Sequence, residues 1–479
     1  MTNSGKNIIL VQAIFFIGLL GFDVCSLRAF DERTEKVDLI FLDIDRKDSP
    51  GASISILHKG DVVYRKSYGM ANLEHGIPIS TKTIFDIASI SKQFGAMGII
   101  LLLQDGKLSL DDDIRLYLPE APDFGHPITI RNLLHHTSGI RDWVQLMVLA
   151  GVEMSDVISF EKILKMFYRQ HALNFIPGEE YSYSNTGYNL LAEIVQRVSG
   201  MSFLAFTDER IFRPLGMQRT HFYDEGTEII KNRAHSYEPN GNDGYKNSTN
   251  QLTALASSSL HTSIEDFTKW MFNYDTGVVG GDEGVAQLQE RGVLNNGQPI
   301  PYARGVTHGE YRGLATVGHG GSWRGFRTQL LRFTSEDLSV AVFCNFSNCD
   351  PMQRAQQIAD IYLTESFTQS TVRGGTTQPR RSVESQSYKV ENMGDYEGKF
   401  YSVELDTTYE VRVSDDALIV DHWRNDSIAL IPTGKDRFES SIWWFKDVRF
   451  FRQADGDVIS LGVTGDRVRN LRFVRAGGS

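Results

Sequence analysis

Apolar and polar positions alternate early in the chain. Ile54 and Ile56 alternate with serines, His58-Lys59-Gly60-Asp61 carries turn residues, and Val62-Val63-Tyr64 follows, so residues 53–68 read as a β-hairpin. From Ser89 to Gln104 the period lengthens. Phe94, Met97, Ile99, Ile100, Leu101 and Leu103 predict a helix apolar nearly all round, and therefore buried. Further helical patterns occupy about 129–136, 160–170, 187–198, 203–212 and 264–273. Tyr311–Val317, Phe326–Phe333 and Leu338–Phe346 then read as strands, and 352–364 as a closing helix. One hairpin, then helices, then three consecutive strands imply mixed α/β class of the α+β type. An antiparallel sheet joins the two ends of this stretch and is flanked by helices, with a helical subdomain.

Beyond Leu363 the character changes. Residues 366–387 are rich in Ser, Thr, Gln, Arg and Gly and read as a linker after a domain spanning 35–365. Residues 388–476 then carry short alternating runs: Glu410–Val413, Leu418–Asp421, Ile428–Pro432, Trp443–Phe451, Val458–Val463 and Val468–Val474. Asp415-Asp416 and Asp455-Gly456 stand at turns, so a small all-β, barrel-like module is expected. At the other end, Lys6 precedes the apolar run Ile8–Phe22, shorter than the roughly 20 residues a membrane-spanning helix needs. Residues 1–29 therefore read as a secretory signal peptide, with cleavage after Ser26 or Ala29. An uncleaved anchor stays open, as does a lipid anchor on Cys25, although Phe22 and Val24 stand where a lipid signal prefers Leu and a small residue. The mature protein is expected to be periplasmic or secreted, with no stable membrane span.

Composition narrows the function classes. With 41% hydrophobic residues, 28 Phe and 18 Tyr, the chain is neither disordered nor collagen-like. Asp plus Glu number 60 against 49 Lys plus Arg, a net charge of -11, and phosphate-backbone binding needs clustered base. No nucleic-acid partner is expected. Cys344 and Cys349 stand five apart, about 16 Å in an extended segment, beyond disulfide reach unless the chain turns. They are expected as two small apolar residues at a strand end. No spacing suggests zinc, and neither metal nor cofactor is expected.

Three short strings carry chemistry. Ser89-Ile90-Ser91-Lys92 sets a hydroxyl and an amine on one helix face, with Cβ atoms roughly 5–6 Å apart. The helix start adds free N–H groups that favour developing negative charge, as a nucleophilic serine requires. Tyr183-Ser184-Asn185 offers a phenol for proton transfer and an amide for a substrate carbonyl. His319-Gly320-Gly321 ends the expected strand Tyr311–Val317, where glycines permit close backbone approach. Each string has a bland twin. Ser159-Phe160-Glu161-Lys162 reads as a helix cap, Tyr245-Lys246-Asn247 as a polar loop, and His58-Lys59-Gly60 as a turn. His135 and His136 read as packing or capping residues, Asp111-Asp112-Asp113 as a solvated turn, and Trp443-Trp444 as core plus one surface face.

Order and context separate the real set from its twins. The run from Phe85 through Ser89 and Lys92 to Phe94 resembles the nucleophile region of the serine β-lactamase and penicillin-binding-protein superfamily, whose serine-x-x-lysine motif has two partner motifs. The Tyr-x-Asn form at Tyr183 and Asn185 is similar to class C β-lactamases, DD-peptidases and related esterases. Ile128–Ile140 and Gly318-His319-Gly320-Gly321-Ser322-Trp323 also resemble family signatures. The likeness covers about residues 35–365. Tyr396-Glu397-Gly398-Lys399-Phe400-Tyr401 makes the tail similar to lipocalin-like β domains fused to such hydrolases.

The resemblance implies that Ser89 is acylated, that Lys92 and Tyr183 share acid–base work, and that Asn185 orients the acyl group. The N–H groups of Ser89 and Ser322 would form the oxyanion hole, beside His319, Gly320 and Gly321. Free Lys and Tyr titrate near about 10, so either needs about 4 kcal/mol from its surroundings to stand deprotonated at pH 7. The sequence assigns the pair jointly. His319 stands where β-lactamases usually carry Lys, and Gly320 where they carry Thr, which points away from β-lactam turnover. The expectation is a serine hydrolase of amide or ester bonds, of esterase or D-amino-acid peptidase type, acting on a small-molecule or peptide substrate. The alternative is a non-catalytic or slowly deacylating penicillin-binding sensor. The tail has no nucleophile–base pair, so support or gating is expected of it.

Overall fold

The computed structural model describes residues 24–242, 244–369 and 388–476. The expected signal segment up to residue 23, and the expected linker from 370 to 387, lie outside them. Six antiparallel strands form the main sheet, in the order Thr307–Tyr311, Leu314–Trp323, Phe326–Phe333, Leu338–Cys344, Ala52–His58 and Asp61–Tyr68. The hairpin turns at Lys59 (φ 53°) and Gly60 (φ 81°), a two-residue turn of the hand that matches strand twist. The central strands Phe326–Phe333, Leu338–Cys344 and Ala52–His58 are buried on both faces, and their alternation sorts residues between two cores. Ile54, Ile56, Val340 and Val342 pack with Ala355, Ile358 and Ala359 of the closing helix Pro351–Tyr362. Ala341, Phe343 and Leu330 pack instead with Phe94, Phe267 and Trp270.

The helix Lys92–Gln104 is buried along nearly its whole length, as its pattern predicts. It lies in the second core beside the helix Asn185–Ser199. The serine and histidine twins fall where expected, whereas Tyr245-Lys246-Asn247, expected as a polar loop, forms a strand paired with Tyr237–Pro239. Ser159 Oγ accepts from the Lys162 N–H at 3.2 Å as a helix cap. Asp113 caps a helical turn, while Asp111 pairs with Arg131 on the surface.

Several expectations are corrected. The strand set at Tyr311–Val317 is two strands that turn at Arg312-Gly313, and the second runs on to Trp323. His319, Gly320 and Gly321 therefore lie inside a strand rather than after it. Glycines read as breakers in the pattern, yet here they stay extended because neighbouring backbone crowds the strand. Cys344 and Cys349 form a disulfide, with Cα atoms 6.4 Å apart. The chain turns after Cys344, which is what brings the two within reach. Helices Val24–Ile40, Trp143–Leu149 and Gly281–Leu288 carried no sequence signal.

The tail is a closed barrel of eight strands, from Gly398–Ser402 to Leu471–Arg475. Asp415 (φ 49°), Asp416 (φ 59°) and Gly456 (φ 100°) make its expected turns. Its strand after the tryptophans begins at Asp447, leaving Trp443 exposed and Trp444 against the barrel core. That core continues into the first domain. Leu146 and Leu149 of the helix Trp143–Leu149 are fully buried among the barrel's aromatic residues, and Tyr409 donates to the Leu149 carbonyl at 2.9 Å. Beside them Arg141 pairs with Glu404 at 2.5 Å, both buried. Removing one partner of a buried pair strands a charge at about 3–5 kcal/mol, whereas an exposed pair is worth under about 1 kcal/mol. Glu404→Ala should therefore lower the urea midpoint clearly, and Arg412→Ala, which breaks the exposed pair with Asp421, should barely move it.

Candidate active site

Ser89 sits in the one-turn helix Ala88–Ser91, between the strand Ile84–Asp86 and the helix Lys92–Gln104. Buried Asp86 shapes that turn. Its Oδ1 accepts from the Ala88 N–H at 2.8 Å, and its Oδ2 from Asn250 Nδ2 at 2.7 Å. These bonds hold Ala88 at φ 47°, a left-handed conformation costing a non-glycine residue about 1–2 kcal/mol. Burial raises the Asp86 carboxyl to about 6, against the pull of those two donors.

One turn on, the Lys92 side chain is fully buried beneath the serine. Its Nζ donates to Asn185 Oδ1 at 2.8 Å and to the Ser257 carbonyl at 2.7 Å, and lies 3.3 Å from Ser89 Oγ. Asn185 is oriented from below, because its Nδ2 and its backbone N–H both donate to Asp142 Oδ2, at 2.9 and 2.8 Å. That leaves Oδ1 facing the lysine. Burial drives the Lys92 pKa well below the ordinary lysine value, with Asp142 opposing and Arg467 reinforcing the shift. A neutral amine has two N–H groups and one lone pair. In that form the two oxygens that only accept would take both N–H groups and leave the lone pair for the Ser89 hydroxyl.

Tyr183 lies across the site, its ring centroid 4.8 Å from Lys92 Nζ. Burial pushes its phenol up, while the Ser89 hydroxyl beside it and Arg467 pull the other way. The buried His136 ring packs 4.2 Å from the Tyr183 ring, and its Nδ1 accepts from the Ser184 N–H at 3.2 Å. The capping reading of His136 holds, and what it caps is the Tyr183–Asn185 segment. His319 Nδ1 lies 2.6 Å from the Gly320 carbonyl, which can only accept, so that nitrogen carries the proton. Its Nε2 then accepts from the Tyr302 hydroxyl at 3.0 Å. Burial, reinforced by Lys92, lowers His319 to about 4, leaving it neutral at pH 7.

Ser89, Tyr183, Asn185, His319, Gly320, Gly321 and Ser322 line one cleft of about 700 Å³, with Lys92 beneath its floor. A methyl group on Gly321 would stand 2.2 Å from the Ile87 carbonyl and 2.2 Å from Thr328 Oγ1. Only glycine lets the strand lie this close to the turn that carries Ser89. Thr328 of the neighbouring strand ties the sheet to that turn, its Oγ1 donating to the Ile87 carbonyl at 2.9 Å. All eight sequence-predicted residues thus converge.

A family model described as Beta-lactamase matches residues 28–363. The chain belongs to the Beta-lactamase family. This family member is 31% identical over 314 residues to the D-aminopeptidase of Gluconobacter oxydans (strain 621H), across 66% of this chain and 59% of that one. It thus spans less than two thirds of that relative's length. It is 29% identical over 328 residues to Penicillin-binding protein 4* of Bacillus subtilis (strain 168), across 65% of this chain and 72% of that one. Among solved structures, the octameric penicillin-binding protein homologue from Pyrococcus abyssi matches with a TM-score of 0.59 at 25% identity. It covers 95% of this chain and 100% of that one, so the likeness reaches into the barrel.

Four contributors escaped the sequence reading: Asp142, the Ser257 carbonyl, Tyr302 and Arg467. Asp142 had one legible signal, a capping residue three positions after Gly139, but the helix it caps is too short to show a period. The glycine strand supplies a test. Gly321→Ala should overpack the turn at about 1–3 kcal/mol. At Gly320→Ala the nearest atom is Gln329 Oε1 at 3.0 Å, the movable end of a side chain, so the cost should stay under about 1 kcal/mol. Urea midpoints of the two variants should differ accordingly.

Proposed function

We propose that this family member is a serine hydrolase that cleaves amide or ester bonds through an acyl-enzyme, of the esterase or D-amino-acid peptidase type. The observation that carries the reading is the fully buried Lys92 amine, 3.3 Å from Ser89 Oγ and anchored on Asn185 Oδ1 and the Ser257 carbonyl. Lys92 takes the Ser89 proton as Oγ attacks the substrate carbonyl carbon. The resulting oxyanion is held by the Ser89 and Ser322 N–H groups, each donor worth about 2.7–4 kcal/mol in comparable sites. Tyr183, a phenol kept protonated by burial, donates to the leaving nitrogen or oxygen as the carbon–heteroatom bond breaks. The proton gained by Lys92 then restores the phenol. Water attacks the ester by the same path in reverse and returns Ser89. Asn185, fixed by Asp142, presents its amide to the acyl chain.

The D-aminopeptidase and Penicillin-binding protein 4* likenesses support D-amino-acid derivatives as substrates. A neutral His319 at the place of the usual Lys disfavours β-lactam turnover. The apolar run Ile8–Phe22 supports export to the periplasm or beyond, and the Cys344–Cys349 disulfide suits an oxidising compartment.

Ser89→Ala should lower p-nitrophenyl acetate hydrolysis at least about a thousandfold without changing the melting temperature; full retention would overturn the assignment. A lasting fluorescent-penicillin adduct without ester turnover would favour the sensor reading instead. A base must be unprotonated to act, so kcat/KM falls as pH drops through the Lys92 pKa. Because that pKa lies well below 10.5, the plateau should be reached well before pH 10.5. A limb near 10.5 would remove Lys92 from the role.

A further inference from the structure

The barrel reaches the cleft through one loop. Gly465 N–H donates to the Val468 carbonyl at 2.8 Å, closing a tight turn whose outer residues are Asp466 and Arg467. The turn is pressed onto the helix Trp143–Leu149: a methyl group on Gly465 would stand 1.9 Å from Gln145 Nε2. Arg467 is clamped through its backbone. Its N–H donates to Gln145 Oε1 at 2.7 Å, and its carbonyl accepts from Asn174 Nδ2 at 2.9 Å. The two charges of the turn diverge. Asp466 faces Lys446 at 3.9 Å, away from the cleft, while Arg467 lines the cleft with its guanidinium 4.9 Å from the Tyr183 ring centroid.

That guanidinium is held but not consumed. Its one ionic contact is Asp142 Oδ2 at 3.6 Å, and among the described residues its side chain makes no hydrogen bond. Asp142 does not need it, since Val144 N–H fills Oδ1 and Asn185 fills Oδ2 twice. Five N–H donors on a 42% exposed side chain therefore open onto the space above Tyr183. The other charges of the cleft are committed. Arg327 donates to the Arg324 and Phe326 carbonyls, Asp350 caps the closing helix, Lys92 is buried, and His319 is neutral.

We propose that Arg467, supplied by the barrel, is a specificity-determining residue that binds a free carboxylate on the leaving-group side of the scissile bond. The side follows from Tyr183, because the residue that protonates the leaving atom lies directly under the guanidinium. A planar fork of donors matches a carboxylate in two parallel hydrogen bonds. The substrate class is then a peptide or amide ending in a carboxylate, and a substrate with a free ammonium at that place is disfavoured. The inference rests on the hydrolase reading above.

The test compares N-acetyl-D-alanyl-D-alanine with its C-terminal carboxamide, by turnover and as competitors of p-nitrophenyl acetate hydrolysis. The wild type should prefer the acid at least about tenfold in kcat/KM or Ki. Arg467→Ala should bring that ratio near one, Arg467→Lys should keep part of it, and Arg467→Glu should invert it. The ratio cancels any change the substitution makes in the shared acylation chemistry. A wild-type ratio of one, or a ratio unchanged in Arg467→Ala and Arg467→Glu alike, overturns the proposal. Ester hydrolysis that survives Ser89→Ala would sink the hydrolase reading instead, so the two failures are told apart.

Discussion

A primary amine kept out of water is the constraint on which the site depends. Burying a charged Lys92 costs several kcal/mol, and that cost pulls its pKa well below the ordinary lysine value. The Asn185 amide oxygen and the Ser257 carbonyl accept from the amine at 2.8 and 2.7 Å, which fixes its position beneath Ser89. A phenol in the same shell responds oppositely to the same burial, because its charged form is the deprotonated one. One physical cause therefore separates two groups that titrate alike in water, giving a base and an acid side by side.

Asp142 links this chemistry to the rest of the molecule. It is fully buried, caps the helix Trp143–Leu149 through Oδ1, and holds both the backbone and the amide of Asn185 through Oδ2. The helix it caps divides its residues between two cores. Trp143 and Met147 pack within the first domain, and Leu146 and Leu149 complete the barrel. A shift of the barrel would thus move the same short helix that positions Asn185. The tail is a structural wall of the site as well as a neighbour.

Legibility followed sequence distance. The hairpin, the buried helix and the strand Phe326–Phe333 were readable because each is fixed by its own period. The eight site residues were readable because their motifs stand in a recognisable order. What was lost depended on distant partners. Trp143–Leu149 has no single apolar face, since it serves two cores. The strand through Gly318–Gly321 is full of breakers, and only the proximity of Ile87 and Leu330 backbone explains why glycine is needed there. The disulfide depended on a turn after Cys344 that the pattern did not announce. Arg467 lies nearly three hundred residues from Tyr183 in sequence, and nothing local marks it as facing a cleft.

The charge pattern of the cleft follows from these placements. Three groups near the nucleophile are capable of positive charge: Lys92, His319 and Arg467. Burial pulls the first well below its ordinary pKa and, reinforced by Lys92, lowers the second to about 4. The third, the Arg467 guanidinium, is half open to solvent. Its field favours the neutral form of Lys92 and disfavours a proton there, so the cation that faces substrate also sharpens the base. A sheet that supplied a lysine at His319 would place a second charge against the buried amine. Moving the cation onto the barrel keeps it near the reacting bond while the strand beside Ser89 stays neutral.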